Sequence, residues 1–133
     1  MEMKRLYHTV FISASKSSCS HEEQVQRTEQ LINILECRGF KVSRSCGVTK
    51  EWGKELSIEV SGVTTDKQID YLLAMGNAYQ QDAILSVNDL GLGFLLSCKD
   101  GSITEYQGVA VVRTKVYGHE DYTIRSDGSV LVF

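Results

Sequence analysis

A carboxylate close to an aromatic residue is the feature of this sequence with the clearest chemical potential. Glu55 stands at the start of a strand-like segment and follows the irregular stretch GVTKEWG (residues 47–53), which contains Trp52. A carboxylate at a loop–strand junction beside an indole can act on a cationic or nucleoside ligand. The alternative interpretation is a solvated edge carboxylate with the tryptophan covering the core, and the residues alone leave both open.

A second candidate site is a serine-rich segment near the N-terminus. Five serines occupy residues 13–20, between a strand-like run and a predicted helix. Backbone N–H groups at the start of a helix attract anions, and ligands commonly bind at the carboxyl end of a strand. The segment lacks the glycines and the Lys-Ser/Thr pair of a P-loop, and serines also fill such loops without binding anything.

The remaining reactive residue types form no recognisable motif. No two of the three histidines and four cysteines form a motif with the spacing of metal ligands, and there is no Cys-x-x-Cys pair. We therefore expect no metal site, no cofactor and no Ser/His/Asp or Cys/His set. Gly91-Leu92-Gly93 lacks the third glycine and the following helix of a dinucleotide-binding fingerprint, so it is interpreted as a turn entering a strand.

Composition and charge limit the class of protein. The chain has 133 residues and no proline, with 42% hydrophobic and 23% charged residues, which is typical of a folded globular protein. Its 14 basic residues are scattered among 17 acidic ones, so no basic face for nucleic acid is indicated. No stretch approaches the roughly 20 apolar residues of a membrane span. We expect one domain over residues 1–133, cytoplasmic and with reduced thiols.

The elements that must position these residues follow a β-α-β, β-α-β order with further strands at the end. Ser20 with Glu23, and Thr65 with Gln68, fit capping boxes that start two helices. This order predicts an α+β fold of the ferredoxin-like, split βαβ type, with an antiparallel sheet, two helices on one face and extra C-terminal strands. The predicted elements are a strand at 6–14, a helix from 20 to about 38, strands at 40–46 and 54–62, a helix opening at 65, and strands at 83–87, 92–98, 109–117 and 122–133.

Several charged and polar residues of these elements also have a structural interpretation. Arg27 follows Glu23 by four residues, a spacing that predicts an ion pair on the helix surface. The strand at 54–62 alternates polar with apolar residues, which predicts a half-buried strand with one polar face. The first helix is expected to bury a face formed by Val25, Thr28, Leu31, Ile32 and Leu35.

Four stretches of the chain, taken in order, resemble the bacteriophage S-adenosylmethionine-degrading enzymes. These enzymes were once called SAM hydrolases and are now regarded as lyases. In the third stretch the similarity is carried by Asn77, Tyr79, Gln81, Asp82 and Leu85. The similar stretches are VFISASKSSCSHEEQVQRTEQL, GVTKEWGKELSIEV, NAYQQDAILSV and YTIRSDGSVLVF.

The resemblance implies both a fold and an activity. Members of that family have a small ferredoxin-like or PII-like sandwich that assembles as a trimer, with SAM held between neighbouring subunits. Their reaction yields methylthioadenosine and homoserine lactone, and it depletes the methyl donor of host restriction–modification systems. By resemblance we expect a homotrimer in the host cytoplasm, with SAM as the small-molecule substrate.

The resemblance also assigns site residues. Glu55 matches the family's glutamate at the start of the third strand, and Ser13 and Ala14 match the end of the first strand, where backbone groups approach the ligand. Thr49 stands where the family has a tyrosine, so Glu55 and Thr49 are the catalytic candidates. Trp52 would offer an aromatic surface to adenine and joins Ser13 and Ala14 as a substrate-binding candidate.

Two alternatives remain open at the level of sequence. Because Thr49 replaces a tyrosine, the same fold could bind SAM or a nucleotide without turnover, as a sponge or a regulator. The strand-rich tail after Val109 could instead pair with a host protein by adding a strand to its sheet.

Overall fold

Nine strands and two helices make up the part of the chain that the structure describes. The fold comes from a computed structural model that describes residues 8–16, 18–49, 53–109, 111–113, 122–125 and 127–132. The helices are α1 (His21–Cys37) and α2 (Asp66–Ala78). The strands are β1 (Thr9–Ile12), β2 (Lys41–Thr49), β3 (Gly53–Ser61), β4 (Ala83–Val87), β5 (Leu92–Ser97), β6 (Ile103–Val109), β7 (Val111–Arg113), β8 (Tyr122–Ile124) and β9 (Val130–Val132).

The described strands form one sheet in the order β6-β5-β4-β1-β3-β2-β8-β9-β7. Each neighbouring pair in this order is antiparallel. This confirms the predicted α+β class with an antiparallel sheet and two helices. The C-terminal strands β8, β9 and β7 extend the sheet beyond β2, as expected, and β5 and β6 extend it beyond β4.

The predicted loop at residues 47–53 is wrong at both of its ends. Strand β2 continues to Thr49 and β3 already begins at Gly53, and these two residues are paired across the hairpin. The stretch has no alternation of polar and apolar residues, because its strand conformation depends on backbone pairing between β2 and β3. Glu55 is therefore the third residue of β3, opposite Gly47, and not a residue at a loop–strand junction.

Strand β6 is a further difference from the sequence-based prediction, which left residues 103–108 unassigned. Its residues 103–106 are exposed, as is typical of an edge strand that shows no apolar period. Part of the prediction lies outside the described residues, namely the strand residues at positions 6, 7, 110, 114–117, 126 and 133.

The helix starts are confirmed. Ser20 Oγ accepts a hydrogen bond from Glu23 N at 3.2 Å while the Glu23 carboxylate accepts from Ser20 N at 3.3 Å. Thr65 and Gln68 form the equivalent reciprocal pair at 3.1 Å in each direction. The predicted buried face of α1 holds except at Val25, which is 38% exposed, so the buried stripe begins one turn later. Neither helix has the length and apolar character needed to cross a membrane.

Both helices contribute to one apolar core. Leu31 and Leu35 of α1 and Leu72 of α2 are fully buried in the same cluster as Ile12 and Ile58 of the sheet. Burying such aliphatic side chains stabilises a fold by roughly 1.5–3 kcal/mol each. The core thus fixes the central strands β1 and β3, and Glu55 lies on the other face of β3.

The polar face of β3 is exposed at Glu55 but covered at Ser57 and Glu59, where the prediction of a half-buried strand is wrong. Glu59 is only 6% exposed, and its carboxylate is bridged by the Arg125 guanidinium, Nε to Oε1 and Nη2 to Oε2, at 2.9 Å each. Leu131 of β9 packs in the same cluster as Phe11 of β1. The sheet therefore curls until its C-terminal strands lie across the polar face of β3, a contact that strand alternation cannot predict.

Candidate functional site

Ser13 and Glu55 meet where β1 ends beside β3. The Ser13 hydroxyl lies 2.9 Å from Glu55 Oε1 and also 2.9 Å from the carbonyl oxygen of Leu56. A serine has a single hydroxyl proton, so it donates to one of these oxygens at a time. The Glu55 side chain is exposed. Its carboxylate is thus oriented by a neighbour and still open to a ligand.

The local conformation after β1 explains why Ser13 points this way. The N–H of Ser15 donates to Ser13 Oγ at 3.0 Å, a turn in which a serine side chain caps the backbone two residues later. The Ser15 hydroxyl in turn donates to the Leu56 carbonyl at 3.3 Å. Two of the serines in the 13–20 segment therefore serve to fasten it to β3.

A glycine leaves space beside the carboxylate. Gly47 of β2 is the cross-strand partner of Glu55 on one side and of Thr123 on the other. Among the described residues, a Cβ added at Gly47 would meet just the Glu55 carbonyl oxygen within 4 Å, at 3.9 Å. A glycine inside a strand often marks a place where a ligand approaches the backbone, and this one lies next to Glu55.

The Arg27–Glu23 ion pair predicted from helix spacing is wrong. Glu23 closes the capping box of α1, and the Arg27 guanidinium reaches away from it. Arg27 Nε donates to the carbonyl of Ala14 at 2.7 Å, and its Nη2 donates to the carbonyl of Tyr79 at 3.0 Å. These acceptors belong to the end of the first strand and the end of α2, so no local spacing could reveal them.

Ala14 is fully buried and its carbonyl is engaged by Arg27. Any contact between Ala14 and a ligand would have to use its backbone. The expected backbone contact of Ala14 with the ligand stays a prediction. Thr49 is the last residue of β2, but only its backbone is described. Trp52 lies outside the described residues.

Gln81 is a residue to which the sequence reasoning gave no role. Its side-chain amide donates to the carbonyl of Ser15 at 2.8 Å and lies 3.3 Å from the carbonyl of Tyr79. In the sequence, Gln81 stands out only as part of the NAYQQDAILSV similarity. Its partner Ser15 is 66 residues earlier in the chain, so the sequence carries no local signal for the contact.

The two glutamates on this face of β3, Glu55 and Glu59, differ in whether a cation neutralises them. Glu59 is four residues after Glu55 on the same face of β3, and Arg125 neutralises it. The hydrogen bonds from this guanidinium to Glu59 raise the Arg125 pKa. Glu55 has no cationic partner among the residues that the structure describes. Within the same residues, no group of three or more His, Cys, Asp or Glu side chains is placed to hold a metal ion.

Two surface cavities lie elsewhere. One of 360 Å³ is lined by residues that include Asn77, Cys98 and Lys99, and one of 430 Å³ by residues that include Arg38, Phe40 and Tyr71. Neither is lined by Ser13 or Glu55.

Comparison with known families decides what kind of protein this is. Residues 10–132 match the model of the S-adenosylmethionine lyase family. The chain belongs to this family. The match of this lyase-family chain runs from the second residue of β1 to the last residue of β9, so Ser13 and Glu55 both lie inside it. Among curated proteins, none gives a significant match.

Proposed function

We propose that this protein is a SAM lyase that converts SAM to methylthioadenosine and homoserine lactone. The observation that carries the proposal is the Ser13–Glu55 contact, because it places an oriented and exposed carboxylate within the family match. SAM carries a sulfonium and an ammonium group, and a carboxylate is the side chain that attracts such cations.

The proposed reaction needs few catalytic groups. An oxygen of the substrate's own carboxylate attacks its Cγ, the Cγ–S bond breaks, and the bonding electrons pass to sulfur. The sulfonium becomes the neutral thioether of methylthioadenosine, and the attacking chain closes into homoserine lactone. No proton has to move in this step. The main work of the protein is to fold the methionyl chain into the reactive geometry and to keep water out while opposite charges cancel.

We assign the site residues to this task as follows. Glu55 holds the cationic methionyl end of SAM, and Ser13 orients the Glu55 carboxylate through its hydroxyl. Backbone groups at Ser13 and Ala14 contact the ligand. Thr49 occupies the position of the family's tyrosine with a smaller hydroxyl, and Trp52 supplies an aromatic face for adenine.

We further propose that the working unit is a homotrimer of single-domain subunits with SAM between neighbouring subunits. Glu55 is exposed, so its carboxylate is accessible to a neighbouring subunit. The β4-β1-β3-β2 order, and the single apolar core to which both helices contribute, support a ferredoxin-like subunit with two helices on one face of the sheet. In a host cytoplasm, SAM removal would deprive restriction–modification systems of their methyl donor.

A second candidate function is SAM or nucleotide binding without turnover, as a sponge or regulator. It is favoured by Thr49, which lacks the phenol of the family's tyrosine. A thermal-shift series with SAM and methylthioadenosine, run beside product detection, separates the two functions, because a ligand that binds only the native state raises its stability.

The experiment that tests the proposal compares three proteins incubated with SAM, with methylthioadenosine and homoserine lactone detected by mass spectrometry. Wild type should form both products, and Glu55→Gln should lose most of the activity. Glu36→Gln is the matched control, since Glu36 is an exposed glutamate on α1, and it should retain activity. Product formation that is equal in all three proteins would remove Glu55 from the mechanism, and thermal stabilisation by SAM without product in wild type would favour the binding module.

A further inference from the structure

We propose that Arg27 and Gln81 are positioning residues that clamp the segment after β1 and thereby hold Ser13 against Glu55. The inference rests on the proposed function for its catalytic consequence, whereas the clamp itself can be tested without it. Neither residue contacts Glu55 in the structure; each would act through the backbone of residues 13–15.

The clamp has two donors and three acceptors. Arg27 of α1 donates to the carbonyls of Ala14 and Tyr79, at 2.7 and 3.0 Å. Gln81, which follows α2, donates to the carbonyl of Ser15 at 2.8 Å and lies 3.3 Å from that of Tyr79. Two successive carbonyls after β1 are thus each held by one side chain, and both side chains share the Tyr79 carbonyl.

The end of α2 is shaped to present these partners. Gln80 adopts a left-handed backbone conformation, with φ of 64°, which a residue with a side chain rarely adopts. The N–H of Gln81 returns to the Gly76 carbonyl at 2.9 Å. The chain therefore reverses directly after the helix, so that the Tyr79 carbonyl and the Gln81 side chain meet the end of β1.

Tyr79 links the clamp back to α1. Its ring centroid lies 5.3 Å from the Arg27 guanidinium carbon, and its hydroxyl donates to Gln30 Oε1 at 2.8 Å. Burial raises the pKa of the Tyr79 hydroxyl and the Arg27 charge partly opposes this. Arg27 is thus held by its cation–π contact with the Tyr79 ring and by two carbonyl acceptors. No carboxylate pairs with it among the described residues.

A chain of contacts leads from the clamp to the site. Gln81 fixes the Ser15 carbonyl, the Ser15 N–H donates to Ser13 Oγ, and Ser13 Oγ contacts the Glu55 carboxylate. If the carbonyl of Ser15 were released, the turn at residues 13–15 would lose an anchor on the side away from β3. Orientation effects of this kind act on the bound substrate's reactive pose, so their loss lowers kcat more than it raises KM.

Two substitutions remove the Gln81 donor in different ways. Gln81→Glu keeps the shape but places a carboxylate against the Ser15 carbonyl, and Gln81→Met fills the same space without a donor. Gln26→Met is the matched control, because Gln26 is exposed on α1 one residue before Arg27. Arg27→Met tests the other half of the clamp.

The direct readout is hydrogen exchange at the Ser15 amide, which reports the turn whether or not the protein turns SAM over. We expect exchange to accelerate by about tenfold or more in both Gln81 variants and in Arg27→Met, as a local opening with the global unfolding midpoint nearly unchanged. In Gln26→Met the exchange should match wild type. Unchanged Ser15 exchange in the Gln81 variants would overturn the clamp.

The catalytic consequence has its own readout. Gln81→Met should lower kcat by about tenfold with KM nearly unchanged, but should have little further effect in a Ser13→Ala background, because both changes break one chain of contacts. Fully additive effects would contradict action through Ser13. If wild type makes no product, the proposed function fails, while Ser15 exchange still decides the clamp.

Discussion

The hydroxyl of Ser13 lies 2.9 Å from a carboxylate oxygen of Glu55, across 42 residues of sequence. Ser13 follows directly after β1 and Glu55 is the third residue of β3, so the contact depends on the antiparallel register of the two central strands. The buried core on one face of these strands fixes their register. The Ser13–Glu55 contact is therefore a consequence of the fold, and it can be tested apart from the rest of the site.

Removing the Ser13 hydroxyl should impair turnover without unfolding the protein. Ser13→Ala loses one hydrogen bond to a charged group, and we expect kcat to fall by about tenfold, equivalent to roughly 1.4 kcal/mol of transition-state stabilisation. Steady-state kinetics and a urea unfolding curve measure the two effects. Ser18→Ala, at an exposed serine of the same segment, is the control and should behave as wild type. A kcat in Ser13→Ala equal to that of the control would contradict a role for the contact.

Burial should decide the contribution of two ion pairs with similar geometry. Arg125 bridges the buried Glu59, whereas Arg44 bridges Glu29 with side chains that are 67% and 43% exposed. Arg125→Ala leaves a buried carboxylate uncompensated and should lower the free energy of unfolding by about 3 kcal/mol. Arg44→Ala should lower it by less than about 1 kcal/mol, since water screens that pair. Chemical denaturation measures both, and equal losses would show that the curled strands do not shield Glu59.

Helix α2 should not tolerate a methyl group at Gly76. A Cβ there would lie 2.7 Å from Cys98 Sγ and 3.3 Å from Ile84 Cγ2. Although alanine favours helix more than glycine does, the overpacking should dominate, and Gly76→Ala should lose about 1–2 kcal/mol of unfolding free energy. Adding Cys98→Ala removes the sulfur and should recover part of that loss. A Gly76→Ala protein more stable than wild type would mean that α2 lies farther from Ile84 and Cys98 than described.

Stability should fall in acid partly through the turn between β8 and β9. Hydrogen bonds from the Ser129 hydroxyl and N–H hold the pKa of Asp127 below its usual 3.8. A carboxyl whose pKa is lowered by folding stabilises the fold above its unfolded pKa, and this contribution is lost as pH falls through the folded value. Asp127→Asn should therefore lose less stability than wild type between pH 6 and pH 2.5, as followed by urea midpoints. An equal loss in both proteins would show that the turn does not contribute.

Local features of the fold could be predicted from the sequence, and long-range ones could not. The capping boxes at Ser20 and Thr65 involve residues three apart, so their pattern is visible in the chain itself. The end of β2 at Thr49 and the course of β6 depend on pairing with other strands, and local polarity misled the prediction there. Covering of Glu59 by Arg125 depends on the curl of the whole sheet.

The candidate site shows the same division. Ser13 and Glu55 could each be named from resemblance, but their contact requires the register of β1 against β3. Helix spacing predicts Glu23 as the partner of Arg27 because it shows only neighbours on the helix, whereas the acceptors of Arg27 are carbonyls from two other segments. The sequence assigns no role to Gln81, because its acceptor is a backbone carbonyl 66 residues away, and such a contact leaves no pattern in the sequence.

The most direct test of the account is to identify the products of SAM in ¹⁸O-labelled water, with rapid quenching and mass detection. Intramolecular displacement uses an oxygen already in the substrate, so the account predicts methylthioadenosine together with unlabelled homoserine lactone, and strongly reduced formation of both with Glu55→Gln. Homoserine carrying ¹⁸O in its hydroxyl group would show attack by water at Cγ, and the absence of any methylthioadenosine from wild type would equally contradict the account.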